Sequence, residues 1–170
     1  MQWIWALFRL RPTPQPQLPI ANHRLSKNFT LAEMTRSRTA RVRGIDNTPD
    51  AEAVRNLTQL CERVLQRARN ALGALTVTSG YRSLQLNKAV KGARDSDHTK
   101  GMAADIVPTG GVTLEQLGKW IQDNCEFKQL IYEFGEWLHV SYDPDDIRGQ
   151  VLEAYKDSHG KTRYRIYRFK

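Results

Sequence analysis

Two strand-like runs, Gln129 to Phe134 and Trp137 to Tyr142, are separated only by Gly135 and Glu136. So short a link must reverse the chain into an antiparallel hairpin, because parallel strands need a crossover of a dozen or more residues. A second hairpin follows Pro144, pairing Gln150 to Tyr155 with Thr162 to Phe169 through a turn at Ser158-His159-Gly160. Leu75 to Ser79 and Met102 to Val107 also read as strands. Between them lie helical patterns. Thr48 is placed as an N-cap and Pro49 at the first helical position, followed by Asp50 and Glu52 in the first turn. Ala51, Val54, Leu57, Leu60, Cys61, Val64, Leu65 and Ala68 then recur at helical spacing up to a stop at Gly73. Thr113 caps a second amphipathic helix to Asn124, a short helix is expected over Leu84 to Val90, and polar Lys91 to Gly101 reads as a loop. Helices interleaved with hairpin neighbours predict an α+β fold with a mainly antiparallel sheet packed against helices.

A chain of 170 residues with 40% apolar and 26% charged side chains has room for one such core, not two, and is too apolar for a disordered chain. Pro12, Pro14, Pro16 and Pro19 block helix formation and predict an extended linker. Residues 1–22 are therefore expected to form an apolar arm and proline-rich linker, and residues 23–170 the folded domain. The apolar run from Trp3 to Phe8 is shorter than a signal-peptide core and far short of a membrane span, so neither is expected. It fits a membrane interface or packing on the domain itself. Cys61 and Cys125 lie within apolar helical patterns and are expected to be core residues, with one disulfide as the alternative.

The formal charge is +8 and unevenly placed: Arg36, Arg38, Arg41 and Arg43 form a block without an acid, and Val151 to Lys170 carries six Lys/Arg against two acids. Such patches attract polyanions, which include nucleic acid, anionic lipid and an anionic cell envelope.

The chemistry concentrates in Ser96-Asp97-His98-Thr99-Lys100-Gly101-Met102-Ala103-Ala104-Asp105 and in Glu136-Trp137-Leu138-His139. A catalytic zinc site takes about three protein ligands and leaves a position open for water. His98, Asp105 and His139 supply two imidazoles and a carboxylate. Amide hydrolysis also needs a base, and Glu136 is the first candidate. Residues three apart point to opposite faces of a straight strand, so this assignment requires a bend near Gly135; Glu133, at even spacing from His139, is the reserve. Arg82, in Thr78-Ser79-Gly80-Tyr81-Arg82-Ser83, could bind a substrate carbonyl or carboxylate and steady a developing oxyanion, or serve as a structural salt-bridge partner.

The motifs Ser-Gly-Tyr-Arg-Ser at 79–83, Ser-x-His-x-x-Gly-x-Ala-x-Asp at 96–105 and Glu-x-x-His at 136–139 resemble the zinc D-Ala-D-Ala carboxypeptidases. That family includes vancomycin-resistance D-Ala-D-Ala dipeptidases and phage L-alanyl-D-glutamate endopeptidases. The resemblance spans roughly Phe29 to Tyr164 and implies the hedgehog/DD-peptidase-like fold. It implies one zinc ion per chain on His98, Asp105 and His139, Glu136 as acid/base, Arg82 as catalytic and substrate contact, and Ser96 as a further substrate contact. The implied activity is hydrolysis of peptidoglycan stem peptides. Small phage or prophage members are most similar, implying an endolysin-like monomer made in the cytoplasm that reaches the wall at lysis or as a virion component.

Two other classes remain beside this one. A zinc-containing module of the same fold could bind a wall or partner without turnover, and retention of the base argues against it. Nucleic-acid binding could use the arginine block and the alternation of Arg163, Arg165 and Arg168 with Tyr164, Tyr167 and Phe169. A charged edge strand gives the same alternation, no nucleic-acid motif is present, and nucleic acid is not the expected partner. His23 and His159 read as ordinary surface or core residues.

Overall fold

Hydroxyl caps at Thr30 and Ser37 open the first two helices of the computed structural model, which describes residues 23–170. The expected arm and linker over 1–22 lie outside the described residues. α1 (Leu31–Thr35) and α2 (Arg38–Arg43) were not expected, since five or six residues are too few to show a helical period. The Thr30 and Ser37 hydroxyls accept from the Glu33 and Ala40 N–H groups. The arginine block is thus mostly one short helix that buries only Ala40.

The long helix is present but begins two residues later than expected. Its cap is Asp50, whose carboxylate accepts from the Ala53 N–H, whereas the Thr48 N–H donates to Asp46. It runs as α3 (Ala51–Leu60), a π-helical turn (Cys61–Leu65) and α4 (Gln66–Leu72), and stops at Gly73. Leu57, Leu60, Cys61, Val64, Leu65 and Ala68 are fully buried, so the apolar face passes through the π turn unbroken. Cys61 is buried and Cys125 half-buried, both as free thiols.

Six strands follow: β1 (Leu75–Ser79), β2 (Ala103–Pro108), β3 (Gln129–Glu133), β4 (Trp137–Ser141), β5 (Gln150–Lys156) and β6 (Thr162–Ile166). α5 (Leu84–Ala89) and a 3-10 turn (Asp97–Lys100) lie between β1 and β2, and α6 (Leu114–Asn124) lies between β2 and β3. The sheet order is β1-β2-β4-β3-β5-β6, with every pair antiparallel except β3–β5. β5 returns beyond β3 against the direction of β4, which makes it parallel to β3.

One sheet face carries Val77, Ile106, Leu130, Leu138 and Val140 into a core with Leu57, Leu60 and Val64 of the long helix and Leu117 and Ile121 of α6. Phe169, beyond β6, closes this core against α6, with only 1% of its surface exposed. A Cβ at Gly118 would fall 2.2 Å from its ring, so a side chain there would displace it. Because strand side chains alternate, Asp105, Ile131, Glu133 and His139 project from the opposite face.

Candidate metal centre and its cleft

The centre is assembled by strand register. β2 and β4 place Asp105 opposite His139, and such cross-strand neighbours share a face. β1 joins through a bulge: Val77 faces Ile106 but Ser79 faces Asp105, leaving Thr78 as the extra residue. The chain then passes Gly80, where a Cβ would lie 2.3 Å from the Met34 carbonyl oxygen, so only glycine lets β1 run this close to α1.

His98 arrives on the 3-10 turn. Gly101 ends that turn at φ 72°, a left-handed conformation that favours glycine, and a Cβ there would also strike the Ala53 carbonyl at 2.4 Å. Three further bonds hold the turn. The Arg82 N–H donates to the His98 carbonyl (3.1 Å), the Asn56 side-chain amide donates to the Lys100 carbonyl (2.9 Å), and Lys128 pairs with Asp97 (3.0 Å). Lys128 also faces Asp143 and Asp146, at 3.6 and 3.8 Å.

The three candidate ligands meet closely. His98 Nε2 lies 3.1 Å from Asp105 Oδ1 and 3.2 Å from His139 Nδ1, and His139 Nδ1 lies 2.9 Å from Asp105 Oδ1. Donors about 2.0 Å from one tetrahedral ion stand about 3.3 Å apart, so this spacing fits a single metal. His98 Nδ1 donates to the Gly80 carbonyl at 2.7 Å, which leaves Nε2 as the free lone pair aimed at the group. Burial pushes the His98 imidazole below its ordinary pKa, against the pull of Asp105. Burial raises the Asp105 carboxyl, but His98 and His139 outweigh it and hold the group well below the carboxylate range. Burial lowers His139, yet its hydrogen bond to Asp105 and that carboxylate's charge bring it above its ordinary value. His98 and Asp105 thus favour the neutral-imidazole and carboxylate forms that bind metal, and His139 reaches its metal-binding form on losing one proton.

Arg82 connects bulge and centre. Its Nε donates to Ser79 Oγ at 2.8 Å and one Nη donates to Asp105 Oδ2 at 2.6 Å, fixing the carboxylate so that Oδ1 faces the imidazoles. The structural reading of Arg82 as an ion-pair partner therefore holds, while its Nη1 makes no hydrogen bond among the described residues.

Ser96 lines the adjoining cleft. The two candidate bases separate. Glu136 is exposed in the β3–β4 turn and does not line the cleft. Phe134 and Gly135, at φ 56° and 75°, close that turn so that Glu133 pairs across with Trp137, and Glu136 lies in the turn beyond the last strand pair. Glu133 lines the cleft two residues from Ile131, the residue paired with His139. Burial raises its carboxyl, partly offset by His139, with smaller opposing effects of Asp105 and Arg82.

The cleft has a volume of about 550 Å³. His98, Asp105 and His139 form its floor, Ser96 and Asp97 one rim, and Phe134 and Trp137 an aromatic wall, with Leu152, Lys156, Thr162 and Tyr164 of β5 and β6 completing the far side. The Trp137 indole nitrogen is buried without a hydrogen-bond partner among the described residues. The Gly80 carbonyl, Lys128 and this indole were not anticipated. Gly80 stood within a recognised motif, but Lys128 lies 31 residues from Asp97 and nothing local marks it.

The family model described as Peptidase M15 matches residues 27–141, more than half of the chain, and that span holds all three candidate ligands, Arg82 and both glutamates. No curated protein matches the chain.

Proposed function

The chain belongs to the peptidase M15 family, and from that premise we propose that it is a zinc peptidase that hydrolyses peptide bonds in bacterial peptidoglycan stem peptides, as a carboxypeptidase or endolysin-like endopeptidase. The observation that carries this reading is the meeting of His98, Asp105 and His139, whose donor atoms all lie within 4.8 Å of one another on the floor of an open cleft. Two imidazoles and one carboxylate are the donor set of a hydrolytic zinc site, with room left for a water and a substrate oxygen. When bound, zinc would polarise the scissile carbonyl and make water a better nucleophile near neutral pH.

The chain's own groups supply the rest. Glu133, not Glu136, takes the proton from the attacking water and passes it to the leaving amine, because it shares the His139 face and lines the cleft. Arg82 Nη1 faces the developing oxyanion while its other nitrogens keep Asp105 in place. The aromatic wall takes the apolar part of the peptide, and Ser96 contacts it from the rim. A binding module would have no use for a half-buried carboxylate at Glu133, which favours turnover.

The test is mass spectrometry of muropeptides after incubating purified sacculi with the zinc-loaded protein, with and without a chelator. Chelator-sensitive release of one defined peptide fragment is expected, and its mass identifies the bond. Unchanged muropeptides would reject the peptidase reading.

A further inference from the structure

A second groove of about 570 Å³ adjoins the metal cleft and shares Arg82 and Val90 with it. It runs between α2, the end of β1 and α5. Arg36, Arg38, Arg41 and Arg82 line it together with hydroxyls such as those of Ser37 and Thr39, and no acidic residue does. Among the described residues, the side chains of Arg36, Arg38 and Arg41 make neither an ion pair nor a hydrogen bond. In the other basic segment two of the three arginines are already committed, Arg163 to Asp157 and Arg165 to Glu153. Arg38 and Arg41, three apart on one helix, repel each other. An anion between them would remove that repulsion and accept the guanidinium fork.

We infer that this groove is a subsite for a carboxylate of the peptide being cut, so that the enzyme selects acidic peptides; this rests on the peptidase reading above. Continuity through Arg82 is the reason to assign the anion to the substrate rather than to a separate ligand. A peptide lying over His98 and His139 needs only to pass Arg82 to bring a side-chain or terminal carboxylate among the α2 arginines. Guanidinium forks favour planar carboxylate, and the surrounding hydroxyls can satisfy its remaining lone pairs.

The test uses the full chain with its metal and a set of synthetic peptides in which a single glutamate is stepped along the sequence, each paired with its glutamine isostere. At one register, glutamate to glutamine is expected to raise KM roughly tenfold or more, the size of one charge-assisted contact, while kcat changes little. In the combined Arg36→Gln, Arg38→Gln, Arg41→Gln variant, the ratio of the two KM values should fall to about one. Absence of discrimination at every register, or its survival in the variant, overturns the inference. Duplex DNA that binds through the same three arginines and leaves the peptide ratio untouched does so too. If no peptide is cut, the peptidase reading has failed on its own. Calorimetric binding of the same peptide pairs then decides the groove: equal affinity for both members rejects it, and a preference for glutamate lost in the variant supports it.

Discussion

Glu133 and Glu136 illustrate how much three positions matter near a tight turn. Even spacing puts Glu133 beside His139 on one face, whereas Glu136 is caught in the turn and exposed. Glu133→Gln is expected to retain metal and lower kcat by about 100-fold to 10,000-fold, whereas Glu136→Gln should stay within about twofold. Steady-state kinetics with elemental analysis of both variants tests this, and the reverse pattern would return the base to Glu136. Burial raises the Glu133 carboxyl above its ordinary value of 4.5. A base must be ionised, so kcat/KM should fall as pH drops through that raised value, and the acid limb should be missing from what activity Glu133→Gln retains. His98→Ala should lose metal and activity together, because only two donors would remain; full zinc occupancy by elemental analysis would remove His98 from the centre. The three candidate ligands, which the fold brings together, could be picked out in the sequence because metal chemistry restricts residue type as well as spacing. The motif ranked Glu136 ahead of Glu133, but which of them shares the His139 face depends on the geometry of one turn, which spacing in a motif does not carry.

Among the elements, the segment from β1 to Arg82 does most to shape the centre. Its bulge directs Ser79 to Arg82, and its glycine brings a carbonyl to His98. Gly80→Ala would push a Cβ into the Met34 carbonyl and should cost about 1–3 kcal/mol of stability. Because the Gly80 carbonyl also orients His98, metal affinity should fall by about 10-fold to 100-fold, measurable by chelator competition alongside thermal unfolding. A loss of stability with unchanged metal affinity would separate the glycine from the centre. The long helix, α6 and both hairpins could be read in the sequence, since each has its own period, cap or short link. α1, α2, the π turn and the strand order could not. Short helices carry too little periodic signal, and the placement of β5 beside β3 depends on contacts between segments far apart in the chain.

Charge and closure belong to the domain taken together. We propose that the +8 charge concentrates the protein at an anionic envelope. Sacculus binding should then weaken steeply as salt rises, since such attraction is screened over about 8 Å at physiological ionic strength. Cleavage of a small neutral peptide should change little; equal salt sensitivity in the two assays would sink the tethering idea. No helix among the described residues is long and apolar enough to cross a membrane. Phe169→Ala should cost about 3–5 kcal/mol, because the ring is fully buried over Gly118 and its loss leaves a cavity, and chemical denaturation would measure it. The two sides of the metal cleft have different relations to the family. The candidate ligands, Arg82 and Glu133 fall inside the matched span 27–141, whereas Leu152, Lys156, Thr162 and Tyr164 of the far side fall outside it. Under the peptidase proposal, substitutions in that outer hairpin would retune which peptides the cleft admits while leaving every candidate ligand and base as it is.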